Sequence, residues 1–213
     1  MTGKNQEMLD IFDERMQRTG TASRSEAHAR GLWHQTFHCW IVSDFPERSL
    51  LFQERHPGKE TFPGRLDVSC AGHLLAGEQA ADGLRELEEE LGVVARFDEL
   101  IPCGIHPEVK RISERITDRE FCHVFLYRSE QPLLKYRLQP DEVTGLYRIP
   151  LAVLQALIEG SAEPFRAEGV GPNPERGGLL RPVTRRFQPD DLVPHSPEYY
   201  RHILVQAGKL AAL

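Results

Sequence analysis

The feature that most constrains this chain is an acidic run, RELEEELGV at residues 85–93, which follows a loop that contains glycines. At about 100° per residue, Glu86, Glu89 and Glu90 share an arc of roughly 100° on a helix. The leucines between them fall together on another face, where they would form the buried stripe. We therefore predict a helix over residues 79–91 that the following glycine ends.

Three carboxylates on one arc repel each other unless a positive charge neutralises them. Hard oxygen ligands of this kind suit Mg²⁺ or Mn²⁺, with waters and substrate phosphates completing the coordination. A solvated face on a surface helix is the plainer alternative. The glycine loop before the run and Gly92 after it favour a metal site. Arg85 also lies one turn before Glu89, where the two side chains can pair.

This segment resembles the signature of the Nudix hydrolase family, G-x5-E-x7-R-E-U-x-E-E-x-G-U, in which U is a bulky aliphatic residue. Gly72, five residues and Glu78 match its first half, and residues 85–93 match every fixed position of the second. Only six residues separate Glu78 from Arg85, where the family has seven. A tightened first helical turn would accommodate the missing residue. Glu78 is therefore a weaker match to the family pattern than Glu86, Glu89 and Glu90.

The resemblance implies an α/β (α+β) fold, the Nudix α/β/α sandwich around a mixed sheet. It also implies hydrolysis of a nucleoside diphosphate linked to a group X, or of a related organic pyrophosphate. Glu86 and Glu90 would be the main metal ligands, and Glu89 a further ligand or catalytic helper that Arg85 orients. The carbonyl of Gly72 would complete the site. Bound Mg²⁺ or Mn²⁺ offsets phosphate charge and lowers the pKa of a water that attacks phosphorus.

A narrower likeness runs over about residues 28–125. The segments ARGLWHQTFHCWIV, LLFQERHPGKETFPGRLDVSCAGH and ITDREFCHVF resemble the isopentenyl-diphosphate isomerase branch of this superfamily. In that branch histidines and acidic residues hold a metal, and basic residues face the diphosphate. The matching metal positions are His34, His73, Glu120 and Asp118. The candidate substrate-binding residues are Arg55, Lys59 and His73.

Two differences favour a hydrolase over the isomerase itself. The isomerase has its catalytic cysteine directly before Gly-His, where this chain has Ala71. Cys70 stands one position earlier, and on a strand one position turns a side chain to the opposite face. The isomerase also lacks the intact acidic helix. Two alternatives stay open: an isopentenyl-diphosphate delta-isomerase, and a catalytically inactive Nudix-fold module that binds a ligand.

The whole chain predicts a single domain over residues 1–213. We expect an N-terminal hairpin extension (1–31), a core (32–160) and a C-terminal loop and helix (161–213). Residues 160–194 are dense in Gly and Pro, which predicts a long irregular loop. Its arginines could close over phosphates, or the segment could be an ordinary solvated loop. These arginines are Arg176, Arg181, Arg185 and Arg186.

Local patterns place the remaining elements. Runs rich in aromatic and β-branched residues predict strands. They are residues 36–42, 49–53, 66–69, 120–127 and 142–149, with shorter extended pieces at 93–97 and 100–103. Pro150 and Ser196 each stand where a helix is predicted to start. The polar residues 19–31 predict a linker.

The composition limits which binding partners and which cellular compartment we expect. The net charge is −6, from 26 basic and 32 acidic residues, which disfavours a general nucleic-acid binder. Four cysteines without a CxxC pair predict free thiols in a reducing compartment. The first residues are charged throughout, and no apolar run is long enough to span a membrane. We therefore expect a cytoplasmic enzyme whose partner is a small-molecule diphosphate, not a nucleic acid or a membrane, with a homodimer left open.

Overall fold

One mixed β-sheet of eleven strands runs through the computed structural model, which describes residues 7–114, 116–175 and 177–210. The strands are β1 (Met8–Phe12), β2 (Arg18–Ser23), β3 (Trp33–Ser43), β4 (Ser49–Arg55), β5 (Leu66–Asp67), β6 (Cys70–His73), β7 (Ile101–Arg111), β8 (Thr117–Arg128), β9 (Val143–Pro150), β10 (Phe165–Pro172) and β11 (Leu180–Phe187). Their order is β11-β10-β9-β4-β3-β1-β2, with β5 on β4, β6 and β8 on β3, and β7 on β8. The β3–β8 pair is parallel and the other pairs are antiparallel, so the sheet is mixed as predicted.

Helices cover both faces of this sheet. Within the described residues they are α1 (Arg24–Arg30), α2 (Leu84–Leu91), α3 (Leu151–Ile158) and α4 (Pro197–Lys209). Alternate residues of β3 supply the two cores. Phe37, Cys39 and Ile41 pack in the core beneath α2, whereas Trp40 and Val42 pack in the core beneath α3 and α4. This period of two is the strand pattern for burial on both faces, and it confirms the predicted α/β/α sandwich.

The predicted loop at 160–194 contains the antiparallel hairpin of β10 and β11, so that prediction was wrong. Position 169 of β10 is a glycine because a Cβ there would come within 2.5 Å of both the Leu146 carbonyl oxygen and the Tyr147 ring of β9. Pro182 is tolerated because β11 is the edge strand. Glycine therefore marks a close approach of strands in this segment, not a loop.

The predicted helix over residues 79–91 is divided. A 3₁₀ turn at Ala80–Gly83 precedes α2, which ends where Gly92 takes a left-handed φ of 67°. A 3₁₀ turn rises further per residue than an α-helix, so it covers the same length with fewer residues. Gly83 lies against the Phe37 ring, where a Cβ would meet ring carbon at 2.4 Å. The tightened turn expected from the short signature is confirmed.

The remaining local predictions differ in outcome. The five longer predicted strands are confirmed by β3, β4, β5, β8 and β9, and the last two predicted helices by α3 and α4. Ser196 caps α4 by accepting a hydrogen bond from Tyr199 N at 3.1 Å. Residues 93–97 form no strand, and the predicted linker 19–31 instead contains most of β2 and all of α1. The division of one domain at residues 31 and 160 stays a prediction.

None of the helices in the described part of the chain is long and apolar enough to cross a membrane.

Candidate active site

A cavity lined mainly by polar side chains lies where α1 and α2 approach the strands of the sheet. Three groups of side chains surround it: two glutamates of α2, a cluster of histidines and carboxylates, and several basic residues. These groups come from segments far apart in the sequence. The parallel pairing of β3 with β8 and the short strand β6 bring them together.

Glu86 and Glu90 line the cavity, whereas Glu89 does not, and its side chain is 57% exposed. Glu90 is buried and accepts a hydrogen bond from Gln53 Nε2 at 3.2 Å. Burial raises the pKa of Glu90 to about 7, and the charge of Glu86 adds to that effect. A carboxylate that is costly to ionise is one that a neighbouring cation would stabilise.

Arg85 joins the loop before α2 to the inward-facing carboxylate. Its Nε and Nη2 donate to the two oxygens of Glu78 at 3.2 Å each, and its Nη1 donates to Glu86. Its Nη2 also donates to the carbonyl of His73 at 2.9 Å. Glu89, which we expected Arg85 to orient, is 3.9 Å away. The expected ion pair with Glu89 is therefore present, but the contact with Glu86 is closer because the Glu86 side chain turns inward and that of Glu89 turns to solvent. The orienting role of Arg85 stays a prediction.

Gly72 of β6 lies directly against the carboxylate of Glu86. A Cβ at this position would be 2.2 Å from Glu86 Cδ and 2.3 Å from its Oε1. Glycine at this position thus lets the carboxylate of Glu86 occupy the space that a side chain would take. The ligand role of the Gly72 carbonyl stays a prediction.

Beside these glutamates lies a group that we call the histidine cluster: His28, His34, His73, Asp118 and Glu120. The ligand atoms of the three histidines lie within 4.8 Å of one another, as do those of His34, Asp118 and Glu120. The register of the sheet explains the meeting, because His34 of β3 lies opposite Glu120 of β8. All the predicted metal positions of the isomerase-like likeness therefore come together.

The donors of the histidine cluster fit a divalent ion. His34 Nδ1 lies 3.0 Å from the Leu32 carbonyl, to which only a protonated nitrogen can bond, so its other ring nitrogen, Nε2, faces the cluster. His34 Nε2 and Asp118 Oδ1 are buried 3.4 Å apart without a hydrogen-bond partner among the described residues. Burial, aided by His34, lowers the pKa of His28 to about 4. Burial, aided by Glu120, raises that of Asp118 to about 6. Neutral imidazoles beside carboxylates are ligands of divalent metals.

The predicted substrate-binding residues Arg55 and Lys59 line the same cavity. Arg55 Nη1 donates to Asp67 Oδ2 at 2.8 Å, while its Nε and Nη2 donate to the Thr61 carbonyl at 3.1 and 2.9 Å. Lys59 Nζ pairs with Glu142, a buried carboxylate. Both cations are held in fixed positions at the cavity wall, and their contact with a substrate stays a prediction.

Several cavity residues were not predicted, among them Arg24 and His28 on α1, and Lys110 on β7. Residues 24 and 28 lie in the segment predicted as a linker, so nothing indicated that they share a face. Their spacing of four residues would have been the signal once a helix was predicted. Lys110 lies on a strand that was predicted to end at residue 103.

The arginines of the C-terminal hairpin do not reach the cavity. Arg185 Nη1 pairs with Glu54, and its guanidinium lies 5.0 Å from the Phe187 ring centroid. Neither it nor Arg181 nor Arg186 lines the cavity. Arg176 lies outside the described residues. The idea that these arginines close over phosphates is therefore wrong for the three described ones, because their strands pair at the far edge of the sheet.

Ala71 and Cys70 face opposite sides of β6. Ala71 lines the cavity, whereas Cys70 is fully buried in the core beneath α2. Burial, and then the charge of Glu90, raises the pKa of the Cys70 thiol well above its usual value. The predicted reversal of faces between the two positions is confirmed.

The geometry agrees with similarity to known proteins. A family model described as the NUDIX domain matches residues 32–168. An uncharacterized Nudix hydrolase of Clostridium acetobutylicum is 44% identical over 200 residues, which cover 93% of this chain and 96% of that protein. Isopentenyl-diphosphate Delta-isomerase 2 of Photorhabdus laumondii is 26% identical over 161 residues, 75% of this chain and 86% of that protein. A crystal structure of a Deinococcus radiodurans protein shares the fold, with a TM-score of 0.55 and 21% identity over 73% of this chain and 91% of that one. The chain therefore belongs to the Nudix family and is a hydrolase similar to the isopentenyl-diphosphate isomerase branch.

Proposed function

We propose that this protein hydrolyses the diphosphate linkage of a nucleoside diphosphate linked to a group X, or of a related organic pyrophosphate, with Mg²⁺ or Mn²⁺. One observation carries the proposal: Glu86 and Glu90 line the same cavity as Arg55 and Lys59. Carboxylates recognise a cation, and basic side chains recognise phosphate oxygens. A metal-bound diphosphate is the ligand that uses both.

Two groups of residues would hold divalent ions. Glu86 and Glu90, with the carbonyl of Gly72, would hold one, and the histidine cluster would hold another. When bound, such ions offset phosphate charge and lower the pKa of the attacking water. Arg85 keeps the Glu86 carboxylate in place, and Glu89 at the exposed side of α2 is a further candidate ligand or catalytic helper.

Basic side chains would bind the diphosphate oxygens. Arg55 and Lys59 do so from β4 and the loop after it. Arg24 on α1 adds a third group, since its Nε is buried without a hydrogen-bond partner among the described residues. Guanidinium groups suit this task because they offer several donors in a fixed plane.

A substrate panel tests this proposal. The protein, stripped of metal with EDTA, is incubated with nucleoside diphosphate sugars, dinucleoside polyphosphates, nucleoside triphosphates and organic diphosphates, with and without Mg²⁺ or Mn²⁺. We expect metal-dependent release of a monophosphate or pyrophosphate product from at least one class, and none from Glu86→Gln. Binding of a diphosphate without turnover in any condition would instead support the inactive binding module.

The isomerase is the second candidate, because the histidine cluster matches its metal positions. Two observations oppose it. Ala71 lines the cavity where the isomerase cysteine would stand, and Cys70 is buried in the opposite core. We expect isopentenyl diphosphate with Mg²⁺ to give no dimethylallyl diphosphate. Rapid isomer formation that Cys70→Ala abolishes would overturn the hydrolase proposal.

A further inference from the structure

A row of side chains with alternating charge lies beside the cavity, apart from the α2 glutamates. We call it the charge chain. Its members, in order, are Arg55, Asp67, His195, Glu108, Lys110 and Glu120. Asp67 forms its first links, accepting from Arg55 Nη1 at 2.8 Å through Oδ2 and from His195 Nε2 at 2.9 Å through Oδ1.

The second half of the charge chain reaches the histidine cluster. Glu108 Oε2 accepts a hydrogen bond from His195 Nδ1 at 2.8 Å and lies 3.7 Å from Lys110 Nζ. Lys110 Nζ donates to Glu120 Oε2 at 2.7 Å. The charge chain therefore begins at a proposed diphosphate ligand and ends at a proposed metal ligand.

His195 at the centre is an imidazolium. Each of its ring nitrogens faces a carboxylate oxygen, which can only accept, so both nitrogens must carry hydrogen. Burial would lower the pKa of His195, but its bonds to Asp67 and Glu108 outweigh burial and raise it. Burial would raise the pKa of Glu108, but His195 holds it down at about 2. Every partner around His195 thus keeps its charged form.

The segment that carries His195 is fixed to the sheet on both sides. Val193 N donates to the Leu66 carbonyl at 2.8 Å, and Ser196 Oγ donates to Glu108 Oε1 at 2.6 Å. The ring of His195 also stacks on Tyr199, with centroids 4.6 Å apart. Both Val193 and His195 line the cavity. This C-terminal segment, outside the acidic signature, is part of the site wall.

Asp67 connects this segment to the substrate-binding side. Its Oδ2 accepts from Arg55, whereas its Oδ1 accepts from His195 and from the backbone N–H of Val68. Without the imidazolium, Asp67 Oδ1 would keep only the N–H of Val68, which lies 2.8 Å away. A buried carboxylate left with one cationic partner instead of two would turn toward another donor. Its rotation would release Arg55 Nη1.

We propose that His195 is a positioning residue which, through Asp67, holds Arg55 in the orientation that binds the diphosphate of the substrate. This inference rests on the proposed function, because it assumes that Arg55 contacts a diphosphate. It assigns to the C-terminal segment a role in substrate binding that the hairpin arginines do not have.

Binding of methylenediphosphonate, a diphosphate analogue with a non-hydrolysable bridge, tests the inference. Affinity is measured by calorimetry in Mg²⁺ for wild type, Arg55→Ala, His195→Gln and the double variant. Glutamine is uncharged and can place a donor at only one of the two positions that the imidazole nitrogens occupy, so Asp67 loses its second cationic partner. We expect His195→Gln to weaken binding about tenfold, equivalent to about 1.4 kcal/mol. The double variant should bind no more weakly than Arg55→Ala, because both changes remove one interaction. With the best substrate, KM should rise and kcat should change little.

Two further variants separate positioning from a structural role. His202→Ala, on α4, removes another contact between the C-terminal region and the sheet, the 2.7 Å bond to the Cys103 carbonyl. We expect it to leave the analogue affinity unchanged. Glu108→Gln reaches Arg55 through His195 and Asp67, and it reaches the proposed metal ligand Glu120 through Lys110. We expect it to weaken analogue binding in EDTA as well as in Mg²⁺, even if His195→Gln does not fold.

The outcomes distinguish this inference from the proposed function. Unchanged analogue affinity in His195→Gln or Glu108→Gln overturns the inference, as do additive losses in the double variant. Nitrogen-15 spectra that show a single protonated ring nitrogen on His195 at pH 7 also overturn it. A wild-type protein that hydrolyses diphosphates but lacks the coupling keeps the proposed function and loses only this inference. No binding of the analogue by wild type overturns both.

Discussion

The α2 glutamates and the histidine cluster meet in one cavity, but the chain holds them in different ways. Glu86 and Glu90 are one turn apart on a single helix, and their ligand atoms are carboxylate oxygens. The histidine cluster draws its members from α1, β3, β6 and β8, and imidazoles are the majority. Oxygen ligands favour Mg²⁺, whereas imidazoles favour softer ions. One cavity therefore gathers two candidate ion sites with different ligand chemistry, one built by a helix and one by the register of the sheet.

The largest effect is expected from Glu90→Gln. It should lower metal-dependent turnover by about 100- to 1000-fold. The reason is that the Glu90 carboxylate would help to hold the ion that offsets the charge developing on the phosphate. Steady-state rates on the best substrate measure it. Glu88→Gln, two residues away on the exposed side of α2, is the matched control and should keep wild-type rates. Near-wild-type activity of Glu90→Gln would show that the α2 glutamates are not the metal site.

The same variant gives a pH test without metal. The folded pKa of Glu90 is about 7 against an ordinary 4.5, so the folded state binds more protons between these values. Stability should therefore fall as pH rises through that window, and less so in Glu90→Gln. Denaturant unfolding in EDTA at pH 5 and pH 8 measures this. If Glu90→Gln is less stable than wild type at pH 8, burial does not destabilise the ionised carboxylate of Glu90.

His34→Ala tests the other region of the comparison. It should lower affinity for one divalent ion, and turnover by about 10- to 100-fold, because it removes a ligand shared by both halves of the histidine cluster. Metal-dependent rates and bound-metal analysis measure it. His123→Ala is the control, because His123 lies on the opposite face of β8. Equal losses in the two variants would show that the histidine cluster is not a metal site.

The regions also differ in how far the sequence predicted them. The α2 glutamates lie within nine contiguous residues whose spacing alone predicts a helix and a shared face. The histidine cluster was predicted only through resemblance, and His28 was missed because α1 was read as a linker. Local spacing fixes what is near in sequence, whereas contacts such as His34 with Glu120 depend on strand pairing over long separations. The same limit hid Lys110 and His195, and it made a hairpin with close strand contacts at Gly169 look like a loop.

A smaller effect is expected from Gly72→Ala, which alters the α2 side without removing a ligand. The new Cβ would displace the Glu86 carboxylate, whose closest atom would be 2.2 Å away. Because a carboxylate at the end of a flexible side chain can move, the fold should survive while metal affinity falls about tenfold, or about 1.4 kcal/mol. Gly20→Ala, with no atom within 4 Å of its added Cβ, is the control. Unchanged metal affinity would show that Glu86 does not need its present position.

The smallest effect is expected at the C-terminal hairpin. Arg181→Ala should leave KM for the best substrate within about twofold of wild type, because this exposed side chain is not part of the cavity. Arg55→Ala should raise KM clearly in the same assay. A larger KM change in Arg181→Ala than in Arg55→Ala would indicate that the hairpin contacts the substrate.

Counting bound Mn²⁺ tests the central claim most directly, that one cavity holds two distinct ion sites. Electron paramagnetic resonance of free Mn²⁺ is followed in titrations of wild type, Glu86→Gln/Glu90→Gln and His34→Ala/His73→Ala. We expect about two equivalents in wild type and about one in each double variant, with the remaining site at near-native affinity. A single equivalent in wild type that both double variants abolish would contradict it.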